Sequence, residues 1–134
     1  MSDRYITKQK TPAATTREEL YKVELPATTT VGGVDTSGLS ASVHVQTVIT
    51  GLVICEASGN SITYQVDVET LEASAPGTIT YIVKDKTLGA SGTDILHFGG
   101  VLAPDTAVNV YSSRADTDFT LFGIETRTEG GPSG

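Results

Sequence analysis

A chain of 134 residues, 38% hydrophobic and 19% charged, fits one domain large enough to bury a core. It contains no run of about eighteen apolar residues, so no membrane span is expected. Its net charge of −7 is uneven: residues 1–22 carry five cations against three carboxylates, and residues 23–134 carry four against thirteen. A body this acidic argues against wrapping a nucleic-acid backbone.

Residues 1–19 keep no steady period and include Thr11-Pro-Ala-Ala-Thr-Thr, a poor start for a regular element. They read as an extended N-terminal arm that leads into no apolar signal stretch. Its basic and aromatic residues Arg4, Tyr5, Lys8, Lys10 and Arg17 are the candidate partner-binding residues. Such a segment can lie across an acidic protein neighbour, a second copy included; a solvated charged tail is the plainer alternative. Arg17–Tyr21 is long enough for a single helical turn, too short to be stable alone.

Leu20–Leu25 reads as a first strand ended by Pro26, and residues 32–42 as a loop with turn residues throughout. In the next segment Val43, Val45 and Ile49 hold odd positions, whereas Leu52 and Ile54 hold even ones. A one-residue slip flips every side chain, so the change of phase requires a bulge, and Gly51 sits at the switch. Such a bulge would let the strand cross from one sheet edge to the next. Gly59-Asn60 then turns the chain into the clearest strand, Ser61–Glu69, whose Ile62, Tyr64, Val66 and Val68 alternate with polar residues.

Pro76-Gly77 turns the chain into Thr78–Lys84, and further strands are expected at Thr93–Phe98, Ala107–Tyr111 and Thr117–Thr126. The tail Glu129–Gly134 is flexible by composition. Short strands with turns between them predict an all-β, antiparallel β-sandwich or jelly-roll-like single domain. The boundaries are 1–19 for the arm, 20–126 for the sandwich and 127–134 for the tail. Thr and Ser on the polar faces suggest a surface that pairs with other proteins without a sticky apolar patch.

Little in the chain reads as chemical equipment. His44 and His97 lack ligand-like neighbours, so zinc within one chain is not expected. Cys55, the one cysteine, lies in the apolar run Leu52–Cys55 and reads as a small buried hydrophobe in a reducing cytoplasm, with a reactive or intermolecular thiol as the alternative. Asp116 and Asp118, with Asp105 on a loop expected nearby, present oxygen ligands of the kind calcium takes, but acidic turn residues are the simpler account. Asp67, Glu69 and Glu72 form an acidic run read as a solvated face rather than a glycosidase pair. Gly89-Ala-Ser-Gly92 has no following Walker lysine. No enzyme and no cofactor are indicated.

Two stretches carry a family likeness. One runs from Thr11-Pro-Ala-Ala-Thr-Thr through Leu20-Tyr21-Lys-Val and Pro26-Ala-Thr-Thr-Thr to Leu52-Val-Ile-Cys-Glu-Ala-Ser. The other is Gly100-Val-Leu-Ala-Pro-Asp-Thr-Ala-Val-Asn-Val-Tyr-Ser-Ser, closing on Asp118-Phe-Thr-Leu-Phe-Gly-Ile-Glu. Together they resemble small β-sandwich structural proteins encoded by tailed bacteriophages. The likeness spans most of residues 11–125 but consists of strand-and-turn patterns. The chain departs at Lys22-Val-Glu-Leu-Pro, two residues longer before the proline, and in the Gly/Ser-rich loop 32–42.

This resemblance implies a capsid decoration (cement) protein, made in the host bacterial cytoplasm and located in the virion. Its partners would be the major capsid protein or other virion proteins and its own copies, most often as a homotrimer. Residues 1–25 and 126–134 would touch neighbours. A tail, neck or baseplate component is the first alternative. The second is a receptor- or carbohydrate-binding module, with Tyr64, Tyr81, Tyr111 and Phe98 as its aromatic candidates; three of these lie in strand patterns that favour burial.

Overall fold

The computed structural model describes residues 2–23, 30–31, 34–35, 43–72, 75–97 and 100–129, and these form an all-β molecule. Its strands are β1 (Ser2–Lys10), β2 (Glu18–Val23), β3 (Thr30–Val31), β4 (Val34–Asp35), β5 (Val43–Glu56) and β6 (Ile62–Glu72), then β7 (Ala75–Leu88), β8 (Thr93–Leu96), β9 (Gly100–Leu102), β10 (Thr106–Ser112) and β11 (Thr117–Glu129). Sheet 1 has the order β1-β11-β5-β8, with β9 beside β8 on the same edge of β5. Sheet 2 has the order β2-β10-β6-β7, and β3 and β4 form a separate hairpin. All pairings are antiparallel. With β8 and β9 sharing one place, this is the strand order of a jelly roll, in which chain neighbours repeatedly change sheet.

The core lies between the sheets. Ile6, Ile49, Leu52, Ile54, Phe119 and Leu121 come from sheet 1, and Leu20, Val23, Ile62, Tyr64, Val66, Val108 and Val110 from sheet 2. Tyr64 and Phe119 meet edge to face, ring centres 6.2 Å apart. Two polar struts join the sheets. At one, the buried Tyr21 hydroxyl of β2 bonds Thr47 at 2.6 Å and donates to Glu125 at 2.9 Å, and Arg4 grips the other oxygen of Glu125. At the second, Tyr64 of β6 donates to Asp94 of β8 at 2.6 Å, with Lys86 of β7 at 3.2 Å from the same carboxylate. Burial pushes the Tyr21 phenol up to about 12 and raises that of Tyr64 as well, so both donate across the acid and neutral range.

The expected change of phase in β5 is present. Val45, Thr47 and Ile49 face the core before it, and Leu52 and Ile54 after it. Against β11, Gly51 pairs with Phe122 and Ile49 with Gly123, so Thr50 is the extra residue. Its hydroxyl closes the bulge by donating to the Phe122 carbonyl at 3.1 Å. The strand does not cross to the other sheet: it stays beside β11 and exchanges β9 for β8 on its far side.

Several expectations need correction. Residues 2–10, read as a free arm, are an edge strand of sheet 1, because Ile6 alternates with polar residues and pairs into the core row of Gly123 and Ile49. Arg17–Tyr21 makes no helical turn; β2 begins at Glu18. Pro76 and Gly77 lie inside β7 rather than in a turn before it, where the Gly77 N–H reaches Glu69 at 3.1 Å. Of the loop 32–42, Val34–Asp35 pairs with Thr30–Val31, and the rest lies outside the described residues. Of the tail 127–134, Arg127, Thr128 and Glu129 still pair with β5, and residues 130–134 lie outside the described residues.

The open edge of β7 is blunted by Lys84 and Lys86, by register irregularities against β6, and by Asp85 in a left-handed conformation. Deleting Thr50 should abolish cooperative folding, because Val45, Thr47 and Ile49 or their counterparts past the bulge would turn to solvent. Each apolar side chain so exposed forfeits about 1.5–3 kcal/mol. Thr50→Ala, which keeps the residue count, should cost about 1 kcal/mol or less in denaturant melts.

Candidate interaction surface

Period-two geometry divides the chemistry of β1. Arg4, Ile6, Lys8 and Lys10 occupy the side that carries the core residue Ile6, whereas Asp3, Tyr5, Thr7 and Gln9 face outward. Two of these cations are engaged within the molecule, Arg4 with Glu125 at 2.9 Å and Lys10 with Glu18 at 3.3 Å; Lys8 is exposed. Tyr5 alone among the five candidates stands out from sheet 1, 87% exposed.

Around Tyr5 the outward face of sheet 1 is apolar. One row across the strands is Tyr5, Ile124, Val48 and Val101. The next is Thr7, Phe122 and Gly51, and the third is Gln9, Thr120, Val53 and Ile95. Val101 is 61%, Ile95 58% and Phe122 41% exposed. Beyond the outer rows lie Asp3, Thr126 and Gln46 at one end, and Asp118, Cys55 and Thr93 at the other. Among the described residues no cation lies in these rows. Strands about 4.8 Å apart and rows about 7 Å apart give three rows on four strands an area of roughly 400 Å². Seven of the eleven residues in these rows are apolar, leaving an apolar share of roughly 250 Å² broken by Thr7, Gln9 and Thr120.

This corrects the expectation of a Thr/Ser surface without a sticky patch. The signal was present in doubled apolar residues: Leu52-Val53-Ile54, Ile95-Leu96 and Leu121-Phe122 fill both faces of their strands. Once the bulge fixes which member faces in, the other must face out.

Arg17 is placed elsewhere, on the outer side of sheet 2. Its guanidinium holds Asp67 with two hydrogen bonds, of 2.8 and 2.7 Å, and Glu69 with one of 3.0 Å. Asn109 donates to both carboxylates at 3.1 and 3.3 Å. The two acids are therefore buried and shared, not the solvated face expected of them. Burial pushes the Glu69 carboxyl up, but the bonds from Arg17 and the Gly77 N–H outweigh it and hold the group below the usual range. The hydrogen bond to Asp67 in turn raises Arg17.

The remaining candidates are dispersed. Cys55 is half-buried on the outward face rather than in the core, with Thr93 Oγ1 at 3.8 Å from its sulfur. Asp118 accepts from Thr11 at 2.5 Å. Asp105 lies at the opposite end of β10 from Asp116, so these acids do not converge. Among the described residues no group of three His, Cys, Asp or Glu can hold a metal ion. His97 is exposed beyond β8, and the backbone of His44 pairs with Thr128. Tyr64 is buried, Tyr111 half-buried and Tyr81 exposed under Lys84, since β7 is an edge; Phe98 lies outside the described residues.

No family model and no curated protein matches the chain. Among solved structures it is similar to chains of infectious bursal disease virus. For the Gx strain the identity is 12% and the TM-score 0.48, covering 98% of this chain and 34% of that one. For the VP2 subviral particle the identity is 11% and the TM-score 0.42, covering 97% and 34%. The present chain spans about a third of the length of the chains it matches.

Arg17→Ala should destabilise the fold by about 2 kcal/mol, less than for a fully buried pair because the guanidinium is partly exposed. The gap should narrow as pH falls from 7 through the carboxylate range: the lowered carboxyl of Glu69 contributes stability above its ordinary pKa, and protonation removes that contribution in the native protein. Denaturant melts at a series of pH values measure both effects.

Proposed function

We propose that this chain is a non-enzymatic virion structural protein of a tailed bacteriophage, a decoration (cement) protein seated on the capsid shell. The observation that carries this reading is the uncharged apolar face of sheet 1, a surface suited to holding protein rather than to turning over a substrate. The scaffold behind it suits that role, because two sheets strutted by Tyr21 and Tyr64 hold the face rigid. Among the described residues no buried side-chain nitrogen or oxygen lacks a hydrogen-bond partner. Jelly rolls serve capsids and lectins alike, so the fold is compatible with the role. The sequence likeness to phage sandwich proteins favours the virion among these uses.

Partners under this reading are the major capsid protein or other virion proteins, and further copies of the chain. The side chains that would touch a neighbouring protein on this face are Tyr5, Phe122, Val101 and Ile95 in place of the arm's cations; where that neighbour is a further copy, other faces of the pair meet the shell. A homotrimer would need two different patches meeting head to tail, whereas this face is a single patch. A tail, neck or baseplate position calls on the same inert block and differs in abundance.

Quantitative protein analysis of purified particles tests the reading. Decoration requires copies comparable in number with the major shell protein; a far lower but fixed number moves the protein to the tail. Its absence from washed particles would refute a structural role. Val101→Glu should reduce retention on shells at least tenfold, by direct loss of contact or by separating copies that hold the shell jointly, while leaving the thermal melt near that of the native protein.

A further inference from the structure

The outward face of sheet 1 contains a knob and a hole side by side. Phe122 of β11 projects from the face, and its direct partner on β5 is Gly51, which has no side chain. A Cβ built at Gly51 would meet only the Leu96 carbonyl oxygen, at 3.7 Å. Gly51 is buried, so the position is a small gap in the outward row, about one strand spacing from Phe122.

We infer that this face pairs with the same face of a second copy, as an isologous two-fold dimer. The inference rests on reading the face as an interaction surface, whichever virion position the protein takes. Consider a two-fold axis parallel to the strands and midway between β5 and β11. It lays β11 of one copy over β5 of the other, as in aligned sheet packing. Phe122 of each copy then lies over Gly51 of its partner, where no side chain opposes it. In the neighbouring row Ile124 opposes Val48, and the exposed Tyr5 opposes the exposed Val101. In the third row Thr120 opposes Val53 and Gln9 opposes Ile95. Asp118 meets Cys55, and Asp3 falls beyond Gln46 at the edge, so no two carboxylates meet.

The size also fits. A stable pair buries about 800 Å² per partner, a little over half of it apolar, or about 450 Å². The three rows supply roughly 400 Å² of the 800, with seven of their eleven residues apolar, and the polar rows at either end extend the contact as its rim. Keeping every cation off these rows removes the charged groups that would be costly to bury at the centre.

Sedimentation equilibrium of the full chain across the micromolar range tests the inference. The expected mass is twice the 14.0 kDa of one chain. Gly51→Ala adds a Cβ that makes only ordinary contact in its own chain, while Gly51→Leu adds a side chain beneath the partner's Phe122 and should give a monomer. Phe122→Ala removes the knob and should weaken dimerisation at least tenfold; it keeps the test decisive if Gly51→Leu fails to fold. Tyr81→Ala, on the opposite sheet, should leave the mass unchanged. A native monomer, a trimer, or a dimer indifferent to both face variants would overturn the inference. A dimer missing from virions would refute the proposed function alone, and a monomer abundant on shells would refute the dimer alone.

Discussion

The pairing of β5 with β11, interrupted by the one extra residue Thr50, is the constraint on which the rest of the molecule depends. These two strands are the centre of sheet 1, and their register decides which side chains every neighbour meets. Without the bulge, either Val45 and Ile49 or Leu52 and Ile54 would leave the core. On the far side of β5 the partner changes from β9 to β8 at the same point, and Asp94 of β8 receives the Tyr64 hydroxyl. The bulge also places Gly51 beside Phe122. Core and outward face thus share one local origin.

Polar chemistry in this protein is used for closure. Tyr21 and Tyr64 cross between the sheets, each ending on a carboxylate that a cation also holds. Glu56, buried where β5 ends, accepts from the Ser58 hydroxyl and from the N–H groups of Ser58, Gly59 and Ser91. Those bonds, the Ser58 hydroxyl first, hold its carboxyl down near 2 and tie two neighbouring turns to one side chain. A carboxylate so fully engaged has little left to offer a substrate. Arg17, Asp67, Glu69 and Asn109 do the same on the outside of sheet 2, fastening the start of β2 across β10 to β6.

Strand identity was legible wherever one face is buried and the other wet. Ile62–Val68 could be read directly, and the odd-to-even change near Gly51 pointed to the bulge from residue order alone. β1 was not legible, because Ile6 is its one core residue and its cations make alternation look like a solvated tail. Arg17 resembled the other basic residues because its partners lie fifty residues away along the chain. Pairing over that distance leaves no periodic mark. The apolar outward face was half legible: doubled residues such as Leu121-Phe122 show that both faces are apolar, but only the register shows that they align across four strands.

Charge placement gives that alignment its meaning. A chain with a net charge of −7 has carboxylates to spare for its surface, yet the three central rows of this face hold none, nor any cation among the described residues. On β1 the alternation Asp3-Arg4-Tyr5-Ile6-Thr7-Lys8 sends basic groups to the core side, where Glu125 and Glu18 receive Arg4 and Lys10. A face merely left to solvent has no physical need of that segregation. A face that must shed its water against another protein does, since a buried unpaired charge costs several kcal/mol while a threonine or valine costs little.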